Sequence, residues 1–314
     1  MKAFVFPGQG SQYVGMGQDL YKEFPTARRT FEESSEVLGL DMAKLCFEGD
    51  SKDLRLTENT QPAILTVSVA AWLVLDEETG IKADFLAGHS LGEYSALVAS
   101  GGLDFKDAVL VVRKRGEYMQ AAVPDGVGAM AAILGLSKEK VEEACREASQ
   151  DGLIVSPANF NAPGQVVISG NKEAVEEACA LAKSNGAKRA VLLEVSAPFH
   201  CALMNTVAKR LEEVLSQVDI FELEVPVVSN YEAKPNKDSS RVKTLLIDQV
   251  ANPVRWDDSV NMLYESGVRE YVEIGPGNVL SGLIKRTVSN ISVLNFEKIE
   301  QLKSLKERWK TLKL

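Results

Sequence analysis

The five residues Gly88-His89-Ser90-Leu91-Gly92 constrain this chain more than any other segment. They follow the apolar run 84–88 and open a helix-forming stretch, 91–100, that is rich in small residues. A Gly-x-Ser-x-Gly set between a buried strand and a helix is the pattern of a nucleophile elbow. The turn is sharp, and glycines at its flanks remove the Cβ atoms that would collide with the strand and the helix. The backbone N–H of Leu91 then lies at a helix N-terminus, where it can donate to an oxyanion. The pentapeptide alone also fits an ordinary tight turn. Its strand–turn–helix setting favours Ser90 as a nucleophile.

Such an elbow needs a sheet, and the rest of the chain supplies the pattern for one. A short buried strand at 3–6 is stopped by Pro7-Gly8. Apolar spacing predicts helices over 25–38, 61–78 and 105–121, the last with Asp104 as N-cap candidate. The middle third changes character. Strand-like 126–134, helical 137–149, strand-like 153–158 and 165–169, helical 172–185 and strand-like 187–195 follow in order, with Asn161-Ala162-Pro163-Gly164 as the turn inside the strand pair. That order is the split βαβ of a ferredoxin-like unit. Alternation then resumes with helices at 201–216, 243–250 and 257–265, strands at 225–229 and 270–274, and a helix after Pro276-Gly277. The expected fold class is α/β. Residues 1–124 and 197–314 form a large part with a mainly parallel sheet, and 125–196 form an inserted ferredoxin-like part. A cleft between the two is where a site is expected.

Composition narrows the functions available. The chain has 314 residues and a formal net charge of -9, which argues against nucleic acid or an anionic membrane as a partner. The uncharged stretch 60–75 carries Gln61, Pro62 and Ser68 and is too short to span a bilayer. The apolar start meets Pro7-Gly8 too early for a signal peptide, so the expected location is cytoplasmic. The four cysteines show no CxxC pairing, and no metal site is expected.

A serine nucleophile needs a base, and the chain has two histidines. His89 adjoins Ser90 and should point to the opposite face of the elbow. His200, in Ser196-Ala197-Pro198-Phe199-His200, stands where the insert ends and is expected at the mouth of the cleft. A histidine at a helix start is ordinarily a cap or a surface residue; scarcity makes His200 the candidate base. Gly8-Gln9-Gly10-Ser11-Gln12 follows the first strand, but Tyr13 stands where a dinucleotide fingerprint needs its last glycine. Gln9 is instead a candidate second oxyanion donor through its backbone. Glu273-Ile274-Gly275-Pro276-Gly277-Asn278 reads as a tight turn at the sheet edge.

Together these motifs resemble the malonyl-CoA:acyl carrier protein transacylases of fatty acid synthesis. The matching pieces run in order: Phe6 to Gln12, Gly88 to Tyr94, Arg113-Lys114-Arg115-Gly116, Asn159 to Gln165, Pro198-Phe199-His200, Gln249 with Asn252 to Trp256, and Glu273 to Gly277. The resemblance implies an α/β-hydrolase-like body with a ferredoxin-like insert. It implies Ser90 as nucleophile, His200 as base, and Gln9 and Leu91 as oxyanion donors. It also implies Arg115 as the partner of the malonyl carboxylate, since a guanidinium can grip a carboxylate with two parallel bonds. Without the resemblance, Arg115 would read as a solvated charge. The histidine is implied to be oriented by a backbone carbonyl near Gln249, in place of the acid that hydrolases use. Phe199 resembles the malonyl-preferring branch of the wider family.

The implied reaction is ping-pong transfer from malonyl-CoA, through a malonyl-Ser90 ester, to the phosphopantetheine thiol of acyl carrier protein. No cofactor is expected; the coenzyme A thioester is a substrate. The carrier is acidic, so Lys188, Arg189, Lys285 and Arg286 are candidates for docking it, and the chain is expected to act as a monomer. Lys303, Lys306, Arg308, Lys310 and Lys313 read as a solvated helix face. The competing readings are a thioesterase on the same elbow, an acyltransferase serving a polyketide carrier, and a silent carrier-binding subunit.

Overall fold

In the computed structural model, residues 1–124, 126–195 and 197–311 are described. Two sheets organise them. The first has six strands in the order β11-β10-β1-β2-β7-β8. These are β1 Lys2–Phe6, β2 Phe85–Gly88, β7 Val227–Val228, β8 Pro235–Asn236, β10 Glu270–Ile274 and β11 Ser292–Phe296. All neighbours are parallel except β7 with β8. Alternate side chains of each strand enter two different cores. Phe4, Phe6, Leu86 and Val272 pack on one face, and Ala3, Val5, Ala87 and Tyr271 on the other. A strand covered on both faces reads as a continuous apolar run, which is what β1 shows.

The second sheet has the order β6-β3-β5-β4-β9. Its strands are β3 Gly128–Leu134, β4 Val155–Ala162, β5 Gln165–Asn171, β6 Arg189–Leu192 and β9 Val254–Arg255. The first four pair antiparallel, with the helices Lys138–Ala148 and Lys172–Ser184 packed on them. This is the ferredoxin-like arrangement. The expected limits of the insert, Asp125 and Ser196, lie outside the described residues. β9 comes from the last third of the chain and pairs parallel with β4, Asn159 opposite Val254 and Phe160 opposite Arg255. Lys138 adds a second tie, its Nζ 2.8 Å from Asp257 on the helix Trp256–Glu265.

Several expectations change in detail. Asn161 and Ala162 belong to β4, so the hairpin turns on Pro163-Gly164 alone, with Gly164 at φ 71°. The Glu273–Gly277 turn is not at the sheet edge, because β11 lies outside β10. The segment 201–216 starts as a 3-10 turn at Ala202–Met204 before the helix Asn205–Ser216. β8, β9 and β11, and the short helices Gln18–Glu23, Met42–Glu48 and Ser51–Arg55, were not foreseen. The C-terminal helix Ile299–Thr311 is more than a solvated face: Lys306 pairs with Glu78, and Arg308 with Glu270 at 3.0 Å. Lys303 is exposed, and the Lys310 side chain and Lys313 lie outside what is described.

Two helices carry much of the site. Thr57–Thr79 is buried nearly all round and starts four residues before the sequence suggests. Pro62 cannot donate to the Glu58 carbonyl one turn back, and Arg113 Nη1 does so instead at 3.0 Å. Arg113 lies on the helix Phe105–Gln120, capped as expected by Asp104. The two helices touch closely because residue 116 is glycine; a Cβ there would lie 2.7 Å from Glu58 Cα.

No described helix is long and apolar enough to cross a membrane.

Candidate active site

β2 ends at Gly88 and the helix Gly92–Ala99 begins four residues on. Between them Ser90 holds φ at 51°, in the left-handed region that a side chain rarely adopts. The flanking glycines are required by contact. A Cβ on Gly88 would fall 1.9 Å from the Gly92 carbonyl carbon, and one on Gly92 would fall 2.1 Å from the Phe6 oxygen. The loop after β1 is as tight, since a Cβ on Gly8 would lie 2.3 Å from the His89 oxygen. The elbow and the Gly8–Gln12 loop therefore lie directly against each other.

The Ser90 hydroxyl meets two side chains. His200 Nε2 lies 2.8 Å from Oγ, and Arg115 Nη2 donates to Oγ at 3.0 Å. His200 Nδ1 lies 2.8 Å from the Gln249 backbone oxygen. A carbonyl can only accept, so Nδ1 carries the proton and Nε2 is free to take one from Ser90. The expected backbone orienter is thus where the resemblance implied. His200 itself is not at the cleft mouth: it is buried, with φ at 58°. Strained backbone at both Ser90 and His200 persists only where its surroundings over-determine it. Burial, with the positive charge of Arg115 adding, pushes the His200 pKa down to about 3, so the imidazole is held neutral.

Arg115 is 1% exposed. Its Nη1 donates to Gln61 Oε1 at 2.9 Å, and Nη2 also donates to Gln249 Oε1 at 2.9 Å. The Tyr94 ring lies 5.5 Å from its guanidinium carbon. Burial works against the cation. Burial also pushes the Tyr94 phenol up to about 12, so at neutral pH that ring is uncharged, and Glu93, in its ionised form, is the nearby group whose charge favours the Arg115 cation.

Gln9 and Leu91 both line the cleft. Gln9 is held through its side chain, Nε2 donating to Thr57 Oγ1 at 3.2 Å. The backbone N–H groups of Gln9 and Leu91 meet no acceptor among the described residues, which leaves both available to a ligand. His89 turns to the second sheet, Nε2 lying 2.8 Å from Asn161 Oδ1 beside the Trp256 ring. Phe199 lines the cleft next to His200.

The cleft holds about 1000 Å³ of unfilled space, part of it open to solvent. Two of the four docking candidates reach the hairpin of the second sheet at its rim. Arg286 Nη1 donates to Gln165 Oε1 at 2.7 Å, at the start of β5, and the Lys188 side chain lies over Gly135, which bonds Gly164 in the same hairpin. Arg189 and Lys285 are exposed beside them in sequence. No group of three or more metal-ligating side chains occurs among the described residues.

Three further residues complete the site without having been foreseen as part of it. Asn230 Oδ1 accepts from Ser90 N at 2.6 Å, and its Nδ2 donates to the Gly88 oxygen at 2.6 Å. Gln61 holds Arg115, and Glu93 holds Gln249 at 2.8 Å. Gln61 left a trace in the sequence, as a polar residue inside an apolar helix. Asn230 left none beyond its place just after a strand.

Comparison with known proteins gives one consistent result. Residues 3–307 match the family described as the acyl transferase domain. A malonyl CoA-acyl carrier protein transacylase of Bacillus subtilis (strain 168) is 52% identical over 309 residues, 97% of each chain. The crystal structure of an acyl carrier protein S-malonyltransferase from Vibrio cholerae superposes with a TM-score of 0.95 at 47% identity, covering 97% of this chain and 99% of that one. A malonyl-transacylase solved in complex with its type II PKS acyl-carrier protein superposes with a TM-score of 0.95 at 48% identity, covering 98% of this chain and 99% of that one.

Proposed function

We infer the mechanism from a settled premise: this chain belongs to the acyl transferase family and is a malonyl CoA-acyl carrier protein transacylase, an enzyme of fatty acid biosynthesis. Malonyl-CoA donates the acyl group. Ser90 Oγ attacks the thioester carbonyl as its proton passes to His200 Nε2. The N–H groups of Gln9 and Leu91 receive the charge that develops on the carbonyl oxygen. The C–S bond breaks, His200 returns the proton to the leaving sulfur, and coenzyme A departs from a malonyl-Ser90 ester. The phosphopantetheine thiol of acyl carrier protein then gives its proton to His200 and attacks the ester. Ser90 Oγ leaves and takes that proton back.

Arg115 selects the acyl group. Its Nη2 lies 3.0 Å from Ser90 Oγ. A carboxylate carried on a short acyl chain bonded to Oγ would therefore lie within reach of the guanidinium. That distance, in a site where the cation is buried, is the observation that carries the reading. A thioesterase for neutral acyl groups would gain nothing from a buried cation here, and the paired Ser90 and His200 speak against a silent subunit. The exposed cations at the rim support docking of an acidic carrier. The neighbour solved with a polyketide carrier supports a second carrier class for the same surface. The reaction is proposed to need no cofactor, and the enzyme to act as a cytoplasmic monomer.

The test is mass spectrometry after incubation with malonyl-CoA. A malonyl adduct on Ser90 that persists in water and discharges onto carrier protein is expected. An adduct elsewhere, or rapid hydrolysis without transfer, would sink the mechanism.

A further inference from the structure

The carboxylate of Glu93 takes no part in the steps above, yet it is buried in the wall of the elbow. It sits in the first turn of the helix Gly92–Ala99, and one of its oxygens, Oε2, accepts two bonds. Asn230 N donates to it at 3.0 Å and Gln249 Nε2 at 2.8 Å. The Gln249 amide is engaged at both ends, Nε2 also donating to the Ser90 backbone oxygen at 3.0 Å and Oε1 accepting from Arg115.

An amide can turn over in place and exchange its oxygen and nitrogen. Here that exchange would aim NH₂ at a guanidinium that can only donate. It would also aim oxygen at the Ser90 carbonyl, which can only accept, and at the Glu93 carboxylate, which can only accept in its ionised form. In a buried site each mismatched group would bear its full desolvation penalty. Asn230, held by the same carboxylate oxygen, grips the elbow at Gly88 and Ser90.

We propose that Glu93 is a positioning residue of the acyl site, whose carboxylate sets the Gln249 amide so that its oxygen holds the Arg115 guanidinium ready for the acyl carboxylate. The inference rests on the reading of Arg115 given above. Charge agrees with geometry: Glu93 and Arg115 each favour the other's ionised form, against burial that pushes the Glu93 pKa up to about 7.

The experiment compares malonyl and acetyl transfer, from the two coenzyme A thioesters to carrier protein, in Glu93→Leu, Gln249→Leu, the double variant, Glu93→Gln and Arg115→Ala. Glu93→Leu is expected to lower malonyl transfer on the order of tenfold and to move acetyl transfer by less than about threefold. Because Glu93 reaches Arg115 through Gln249, the double variant should lose no more of the malonyl-over-acetyl preference than Gln249→Leu alone. Glu93→Gln keeps one oxygen for both N–H donors and should hold selectivity within about threefold of the parent. Equal losses for both acyl groups, losses that multiply in the double variant, or Glu93→Gln as poor as Glu93→Leu would each overturn the proposal. If Arg115→Ala loses the malonyl preference and Glu93→Leu keeps it, this inference fails alone. If Arg115→Ala keeps the preference, the reading of Arg115 fails first. Should Glu93→Leu not fold, Glu93→Met replaces it, because an unbranched thioether fills irregular space more readily.

Discussion

At the floor of the cleft, His200, Arg115 and Gln249 are buried and bonded to named partners, although Arg115 Nε has none among the described residues; at the rim, Val279, Leu193 and Val195 are exposed and the cations Lys188, Arg189 and Lys285 face solvent. The floor is organised by groups that cannot exchange roles, since carbonyls and carboxylates accept while the guanidinium donates. Removing one such group strands another in a buried place, which costs more than the bond itself returned. The rim has no such obligation. On the proposed reading, chemistry falls to the over-determined part of the molecule, and recognition of the carrier to the part that tolerates change.

The sharpest way to break this contrast is at the base. His200→Ala should lower acylation by roughly 10²–10⁴-fold, measured as the burst of coenzyme A release, the range expected for loss of a general base. His89→Ala should not do so by that route, since its ring is bonded to Asn161; equal defects would undo the assignment of the base. The pH dependence sharpens the same point. A base works when deprotonated, and a pKa held down to about 3 keeps His200 deprotonated where an ordinary histidine near 6.5 would be half charged. With acetyl-CoA, which makes no demand on Arg115, kcat/KM should stay flat from pH 8 down through pH 6. A fall centred at 6.5 would contradict the burial argument.

Next in size is Arg115→Ala, expected to cost malonyl transfer on the order of 10- to 100-fold and to raise acetyl transfer relative to it. An unchanged acyl preference would move selection elsewhere. At the rim the effects should shrink. Lys188→Glu or Arg286→Glu should raise the KM for carrier protein a few-fold at low salt, leave kcat for malonyl-enzyme formation alone, and fade as salt is added. A kcat defect there would erase the distinction between floor and rim. The smallest effect tests the distinction by stability. Gly282 has nothing within 4 Å of a built Cβ and lies in the helix Val279–Thr287, so Gly282→Ala should stabilise by about 0.5–1 kcal/mol. Gly92→Ala, which meets the Phe6 oxygen at 2.1 Å, should instead lower the Tm markedly and abolish transfer.

The same contrast explains what could be read in the sequence. Ser90 was legible because an elbow leaves a local signature of glycines around a serine. His200 was legible only because histidines are scarce, and its depth in the cleft was not, since burial is set by elements distant in the chain. Arg115 and Gln249 carry no local mark; on their own helices they look like surface residues, and the resemblance alone pointed to them. Asn230 reaches Ser90 across 140 positions, a separation no periodicity can reveal. In the fold, the long strands and amphipathic helices were legible from their spacing. Two-residue strands such as β8 and β9 were not, because so short a run has no period, and only their partners make them strands.

β9 gives the cleft a mechanical property. Its residues Val254 and Arg255 extend the second sheet, while Gln249, a few positions upstream, presents the carbonyl that steers His200. On the other side Asn161 of the same sheet grips His89, the residue before Ser90. The second sheet is therefore tied to the elbow from both flanks. Any widening of the channel to admit a bulkier acyl chain would tug on the imidazole and on the serine turn together, detuning the engine as the door opens.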